Sequence, residues 1–179
     1  LFSAVAHGCA AGLHQQALYK VYWTRIRREG DNYICKKLGA FSDDLAAVAH
    51  FFTTQWHTPA AGLTDSAKTA FLNFAGFRLR AIGRLREALE PIQENIEMNL
   101  RQGHLKGAAA NASNLSELQL TLGDIEKAEL SGQRSVDYAD QSGDWQSRLA
   151  NRTTHADALH QAGETTRAHT MFREAEQLQ

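Results

Sequence analysis

Residues 114–128 read NLSELQLTLGDIEKA, and this stretch decides the fold. Leu115, Leu118 and Leu122 stand at i, i+3 and i+7, the spacing that puts apolar side chains on one face of an α-helix. Gly123 follows at once, and glycine ends a helix in the left-handed region without a Cβ penalty. Asp124 is then placed to cap a second helix, with Ala128 one turn inside it. The segment spells helix, tight turn, helix.

The same phrase recurs when the chain is slid against itself by 40 residues. Gly83, Gly123 and Gly163 align, as do Ala88, Ala128 and Ala168 five residues later. Gly103 aligns with Gly143 and Asn111 with Asn151. Small residues also align seven before each of the first glycines (Gly76, Ser116, Ala156), and non-bulky ones twelve after (Asn95, Ser135, Ala175). Two antiparallel helices need a glycine at their turn and small side chains where their axes cross most closely. One such pair cannot bury its apolar faces alone, so pairs stack. The pattern therefore predicts an all-α solenoid of antiparallel helix pairs. A WD40 propeller is excluded because it needs four strands per repeat. HEAT and armadillo repeats fit the period but do not demand glycine followed five residues later by alanine. The N-terminal part carries an echo in Gly12 and Ala17, with the register interrupted before Gly83.

Periodicity places helices at 2–11, 14–29, 32–38, 43–53, 65–82, 85–102, 105–122, 125–141, 144–162 and 165–178. Gly12, Gly30, Gly83, Gly103, Gly123, Gly143 and Gly163 are the expected breaks, and Ser42, Thr64, Asp124 and Asp144 the expected N-caps. Thr53 to Leu63 (TTQWHTPAAGL) reads as a loop, with Trp56 folded back on the helices. Pro91 lies inside the helix at 85–102, removes one of its hydrogen bonds and is expected to bend it. The organisation is an irregular segment, 1–63, ending in that loop, then regular repeats from 64 to 179 in one continuous solenoid.

Composition agrees. Of 179 residues, 43% are apolar, too many for disorder, and 22% are charged, an ordinary surface. No run approaches the ~18 apolar residues of a membrane helix. A net charge of -1 gives no global drive toward nucleic acid or an anionic membrane. Cys9 and Cys35 are read as reduced thiols, since the apolar content supplies a core without a disulfide. No signal peptide is visible, and the chain starts at Leu1 without an initiator Met. The expectation is a cytoplasmic fragment of a larger protein.

The stretches at 114–128 and 155–168 (HADALHQAGETTRA) resemble tetratricopeptide repeats, in which a small residue on helix A, a turn glycine and an alanine on helix B recur in this order. The resemblance covers 71–179 well, 1–29 in part and 30–63 poorly. The usual repeat is about 34 residues, so the helices here are expected to be longer by roughly one turn each. Leu72, Ala112 and Arg152 stand where that family carries a large aromatic early in helix A, and the usual proline at the repeat end is missing. Long repeats of this kind are similar to the arrays appended to STAND-type signalling ATPases of bacteria. The resemblance implies a sensor or interaction region of a larger bacterial signalling protein. The phosphate-binding loop GxxxxGK[ST] is absent from the sequence.

Direct signs of chemistry are few. The eight histidines show none of the i, i+3 or i, i+4 ligand spacings: His155 and His160 are five apart, and His50 and His57 straddle a helix end. No nucleophile sits in a GxSxG turn, and no carboxylate pair is flagged by its surroundings. The expectation is no enzyme, no metal and no cofactor. Lys20, Arg25, Arg27, Arg28, Lys36 and Lys37 form a basic cluster, which reads as a solvated helix face, with phosphate contact as the functional alternative. A nucleic-acid-binding helical module using this cluster is one rival to the scaffold reading, and a hydrolase fragment is another.

The resemblance implies a concave groove lined by A helices, where i, i+4 and i+7 share a face. Carried over repeat by repeat, the groove positions are Asn73, Phe77 and Arg80, then Ser113, Glu117 and Leu120 with Asn114 beside them, then Thr153, Asp157 and His160. The mixture of amide, aromatic, cation and carboxylate suits an extended protein or peptide ligand.

Overall fold

A computed structural model describes residues 1–178. The fold is all-α, a helical-repeat solenoid of antiparallel pairs. Its helices are α1 (Phe2–Ala10), α2 (an α-helical turn, His14–Gln16, continued as a π-helix, Ala17–Ile26), α3 (Tyr33–Lys36), α4 (Phe41–Ala49), α5 (Asp65–Ala81), α6 (Leu85–Arg101), α7 (Leu105–Thr121), α8 (Ile125–Ser142), α9 (Trp145–Gln161) and α10 (Thr165–Glu176). No described helix is long and apolar enough to cross a membrane. The chain divides into two compact units, Leu1–Pro91 and Ile92 onward.

In the second unit the repeat is realised residue by residue. Gly103, Gly123, Gly143 and Gly163 all have φ between 70° and 84°. Behind three of them the N–H of the next residue reaches back five positions, as in His104 to Asn99 at 2.8 Å and Asp124 to Gln119 and Glu164 to Leu159, both at 2.9 Å. This bond satisfies a carbonyl that the helix end leaves orphaned. The turn at Gly143 differs: α8 runs on to Ser142, whose hydroxyl accepts from Asp144 N–H at 3.2 Å. At the crossings Ser116, Ala128, Ser135 and Ala156 are fully buried and Ala168 and Ala175 nearly so. Ser116 does more than leave space. Its hydroxyl donates to the carbonyl of Ala128 at 2.7 Å and ties α7 to α8.

The anomalous Arg152 has a physical account. It is buried on α9, where its guanidinium spans both carboxylate oxygens of Asp140 at 2.8 and 2.9 Å and reaches Glu174 at 3.4 Å. A guanidinium pinned to the helices on either side replaces apolar area with directed bonds. These bonds hold the Asp140 carboxyl below its ordinary pKa. Leu72 and Ala112, which also stand at that position, are buried as well.

The first unit is built on aromatic packing. Tyr22, Phe51 and Phe71 are fully buried, with Phe51 stacked on Phe71 at 4.1 Å and Tyr22 edge-on to Phe51 at 5.7 Å. Gly8 on α1 faces the Cβ of Ala17, which an added methyl would meet at 3.0 Å, so glycine here sets how closely α1 and α2 approach.

Of the local expectations, some are corrected and others are met. The helix expected to reach residue 29 ends at Ile26, where a π-type bond runs from Arg27 N–H to the Tyr22 carbonyl at 2.9 Å. The break lies in left-handed Arg28, Glu29 and Asn32 (φ 54°, 57° and 45°), and Gly30 is not the left-handed residue. Ser42 is inside α4, whose N-cap is Ala40. Thr64 and Asp144 do cap, accepting from the N–H groups of Ala67 (3.3 Å) and Ser147 (2.8 Å), whereas Asp124 caps without a side-chain bond. The 53–63 loop carries a short antiparallel hairpin, β1 (Phe52–Thr54) with β2 (Thr58–Pro59). Trp56 at its tip folds back, 6% exposed and edge-on to Phe52 at 5.5 Å. α6 continues through Pro91. Both thiols are free and buried, and burial pushes Cys9 and Cys35 each up to about 11.

Candidate functional site

The A-helix positions fall into two groups, one per unit. In the first unit, α5 presents Asn73 and Phe77 to solvent, with Arg80 half-buried. Phe77 is 54% exposed, yet its ring is not loose. It sits 6.2 Å from the ring of Phe41, and the guanidinium of Arg78 lies 5.8 Å from its centroid.

Behind it runs an alternation of rings and cations. Arg78 lies 4.6 Å from the Phe74 ring, Arg27 lies 4.2 Å from the same ring, and Arg27 lies 4.7 Å from Trp23. Trp23, Arg27, Phe74, Arg78, Phe77 and Phe41 thus form one continuous series, buried in the middle and open at Phe77. A guanidinium between two aromatic faces is attracted by both quadrupoles, and more strongly where water is excluded.

The cations are anchored beneath. Arg78 Nε donates to Asp44 Oδ2 at 2.6 Å, Cys35 Sγ donates to the same oxygen at 3.3 Å, and Arg78 Nη2 reaches Asn32 Oδ1 at 3.5 Å. Arg27 has no such partner: among the described residues its Nε and Nη1 are buried without a hydrogen-bond acceptor, the Tyr22 hydroxyl without a partner and Asp44 Oδ1 without a donor. Burial pushes the Arg27 pKa down and the Tyr22 pKa up. Asp44 thus bonds Arg78 directly and acts on the buried Arg27 through its charge.

The basic cluster read at 20–37 is divided by this arrangement. Arg27 is core, and Arg28 lies over the Tyr33 ring at 3.6 Å. Lys20, Arg25, Lys36 and Lys37 are exposed.

In the second unit α7 and α9 lie side by side, joined where the Ser113 hydroxyl donates to that of Thr154 at 2.9 Å. Glu117, Thr153, Asp157 and His160 are exposed beside this bond, and Ser113, Asn114 and Leu120 are half-buried. The Thr153 hydroxyl turns back to the Leu149 carbonyl at 3.1 Å. The exposed acids give this surface a carboxylate character. Among the described residues no group of three or more His, Cys, Asp or Glu side chains could hold a metal ion.

Sequence reasoning missed Asp44, Arg78, Phe41 and Thr154. One signal was available for Arg78: it follows Phe71, Phe74 and Ala75 at i+7, i+4 and i+3, a cation on an apolar stripe. No local pattern marks Asp44, which lies 34 residues away from it. No protein-family model matches the chain, and no curated protein matches it.

Proposed function

We infer that the chain is a non-enzymatic scaffold of tetratricopeptide type that binds a protein or peptide. We place it as the sensor or interaction region of a larger cytoplasmic signalling protein of bacteria. The observation that carries this reading is Phe77. An aromatic ring more than half exposed, yet held between Phe41 and the buried Arg78, is preorganised apolar surface on an A helix. Aromatic and arginine side chains dominate the energetics of protein interfaces, and rigid ones lose little entropy on binding.

The rival use of the 20–37 cluster as a nucleic-acid contact has a smaller charge to work with, since Arg27 is buried among aromatics. Duplex binding with a steep salt dependence would favour that rival.

The test is a selection of displayed random peptides on the wild-type chain, with counter-selection on a Phe77→Ala chain of equal helicity. Peptides that bind the first and not the second support the reading. Peptides that bind both equally move the binding surface away from Phe77.

A further inference from the structure

The second unit holds a cavity of about 340 Å³ on the side of α7 away from Glu117. Residues on a helix turn by about 100° each, so Leu115 and Gln119 of the cavity floor face opposite to Glu117. The cavity is open to solvent between α6 and α8, and its apolar surface comes from Ile96, Leu115 and Leu130. Leu130 is 61% exposed, a large aliphatic side chain left at the rim.

Its polar part is built from the interior outward. Gln119 and Ser131 are 5% and 6% exposed, and the Ser131 hydroxyl donates to Gln119 Oε1 at 2.7 Å. That bond fixes the amide with its Nε2 donors unused: no protein acceptor meets them among the described residues. Gln119 lines the cavity, so its amide nitrogen is open there to an acceptor supplied by a ligand or by water. On α8, Lys127 stands one turn before Ser131 and Arg134 one turn after it, so two cations flank the amide. Lys127 is held only loosely by Asp124 at 3.6 Å, and Arg134 has no protein partner among the described residues. Glu97 stands on the opposite wall, on α6. The negative end of a ligand is therefore directed to the α8 side.

We propose that this cavity binds a small apolar carboxylate, a medium-chain alkyl or arylalkyl acid. Its body lies against Ile96, Leu115 and Leu130, and its carboxylate accepts from the Gln119 amide and from Arg134 and Lys127. The volume is at the lower end of the ~300–1,000 Å³ of small-ligand sites, room for such an acid and not for an extended peptide. Charge-assisted bonds to a carboxylate are about twice as strong as neutral ones, so the acid is preferred over an alcohol of equal length. Its lining does not include Phe77, and the proposal does not depend on the scaffold reading.

The test titrates the full chain with octanoate, octanol and octylamine at neutral pH, followed by methyl NMR at Ile96, Leu115 and Leu130. Saturable shifts at these methyls with octanoate, at least tenfold tighter than with octanol or octylamine, are expected. Arg134→Met is exposed and keeps the fold, and together with Lys127→Met it should abolish the preference for the acid while weak alcohol binding persists. Gln119→Met alone should weaken octanoate binding, with helicity as the control for folding. Phe77→Ala should leave octanoate binding unchanged. Equal binding of all three compounds, tighter binding of the amine, absence of shifts at these methyls, or an acid preference that survives the double substitution would each overturn the proposal.

Discussion

Asp44 and Arg78 form an ion pair at 2.6 Å with side chains 0% and 3% exposed, and the Asp44 charge also acts on the buried Arg27. Removing one partner of such a pair strands a charge in a low-dielectric interior and costs about 3–5 kcal/mol, whereas replacing both by apolar groups is often neutral. The asymmetry predicts an order. Asp44→Leu strands both Arg78 and Arg27, while Arg78→Met leaves Asp44 with Arg27 nearby. Urea unfolding should find Asp44→Leu the more destabilising, and the double substitution should cost less than the sum of the two. Additive costs would show that the pair is not coupled.

His155 supplies a pH dependence. It is 1% exposed, among the described residues neither ring nitrogen has a partner, and burial pushes its pKa below the ordinary value of 6.5. Arg167 from α10 lowers it further, while Glu129 and Asp137 from α8 act in the opposite direction. With the folded pKa below the unfolded one, the unfolded chain takes up the proton first. Stability is therefore fully present above about pH 6.5 and is lost as pH falls toward the folded value. One proton limits the slope to about 1.4 kcal/mol per pH unit. Urea midpoints between pH 7.5 and 5.5 should fall for the wild type and flatten for His155→Leu.

Gly107 is a glycine whose replacement by the better helix former should destabilise. A Cβ there would overlap the side-chain amide of Asn99. That amide cannot give way freely, because its nitrogen donates to the Asn95 carbonyl at 2.7 Å and to Asn95 Oδ1 at 2.8 Å, and Asn95 in turn donates to Asn111 at 3.3 Å. Alanine in a helix interior gains up to about 1 kcal/mol over glycine. Overpacking costs roughly 1–3 kcal/mol and outweighs it. Gly107→Ala should lower the unfolding midpoint, and Asn99→Ala in the same chain should recover part of the loss. A rise in the midpoint for Gly107→Ala alone would show that the asparagines repack without cost.

Much of this fold was legible because its signals are local. A turn glycine, the alanine five residues later and the small residues at the crossings all lie within one helix pair, so Gly123, Ala128 and Ser116 announce their own packing. The exposure of Phe77 was legible in the same way, from its place on a helix face. What was not legible depends on partners distant in sequence. Nothing near Asp44 tells that its carboxylate meets Arg78, and nothing near Ser113 tells that its hydroxyl meets Thr154. The π-helical Ala17–Ile26 was missed because a change from i+4 to i+5 bonding leaves the apolar spacing almost unaltered over so short a stretch. Gly30 misled because left-handed geometry was assigned to the residue type that adopts it most easily, whereas Arg28, Glu29 and Asn32 adopt it here.

Phe77 gives the last prediction, which separates surface from core. Its truncation removes an aromatic pair with Phe41 and part of a cation–π contact with Arg78, each worth about 0.5–1.5 kcal/mol. Leu115 is 6% exposed, and truncating a buried leucine costs about 2–5 kcal/mol through lost burial and the cavity left behind. Phe77→Ala should therefore cost less stability than Leu115→Ala in the same denaturant series. Against a peptide selected on the wild-type chain it should nevertheless weaken binding by more than about 1 kcal/mol, the mark of an important interface side chain. Isothermal titration of that peptide against both chains measures the difference. Unchanged affinity would move the interface off α5, and loss of folding would show that Phe77 closes the aromatic core instead of standing on its surface.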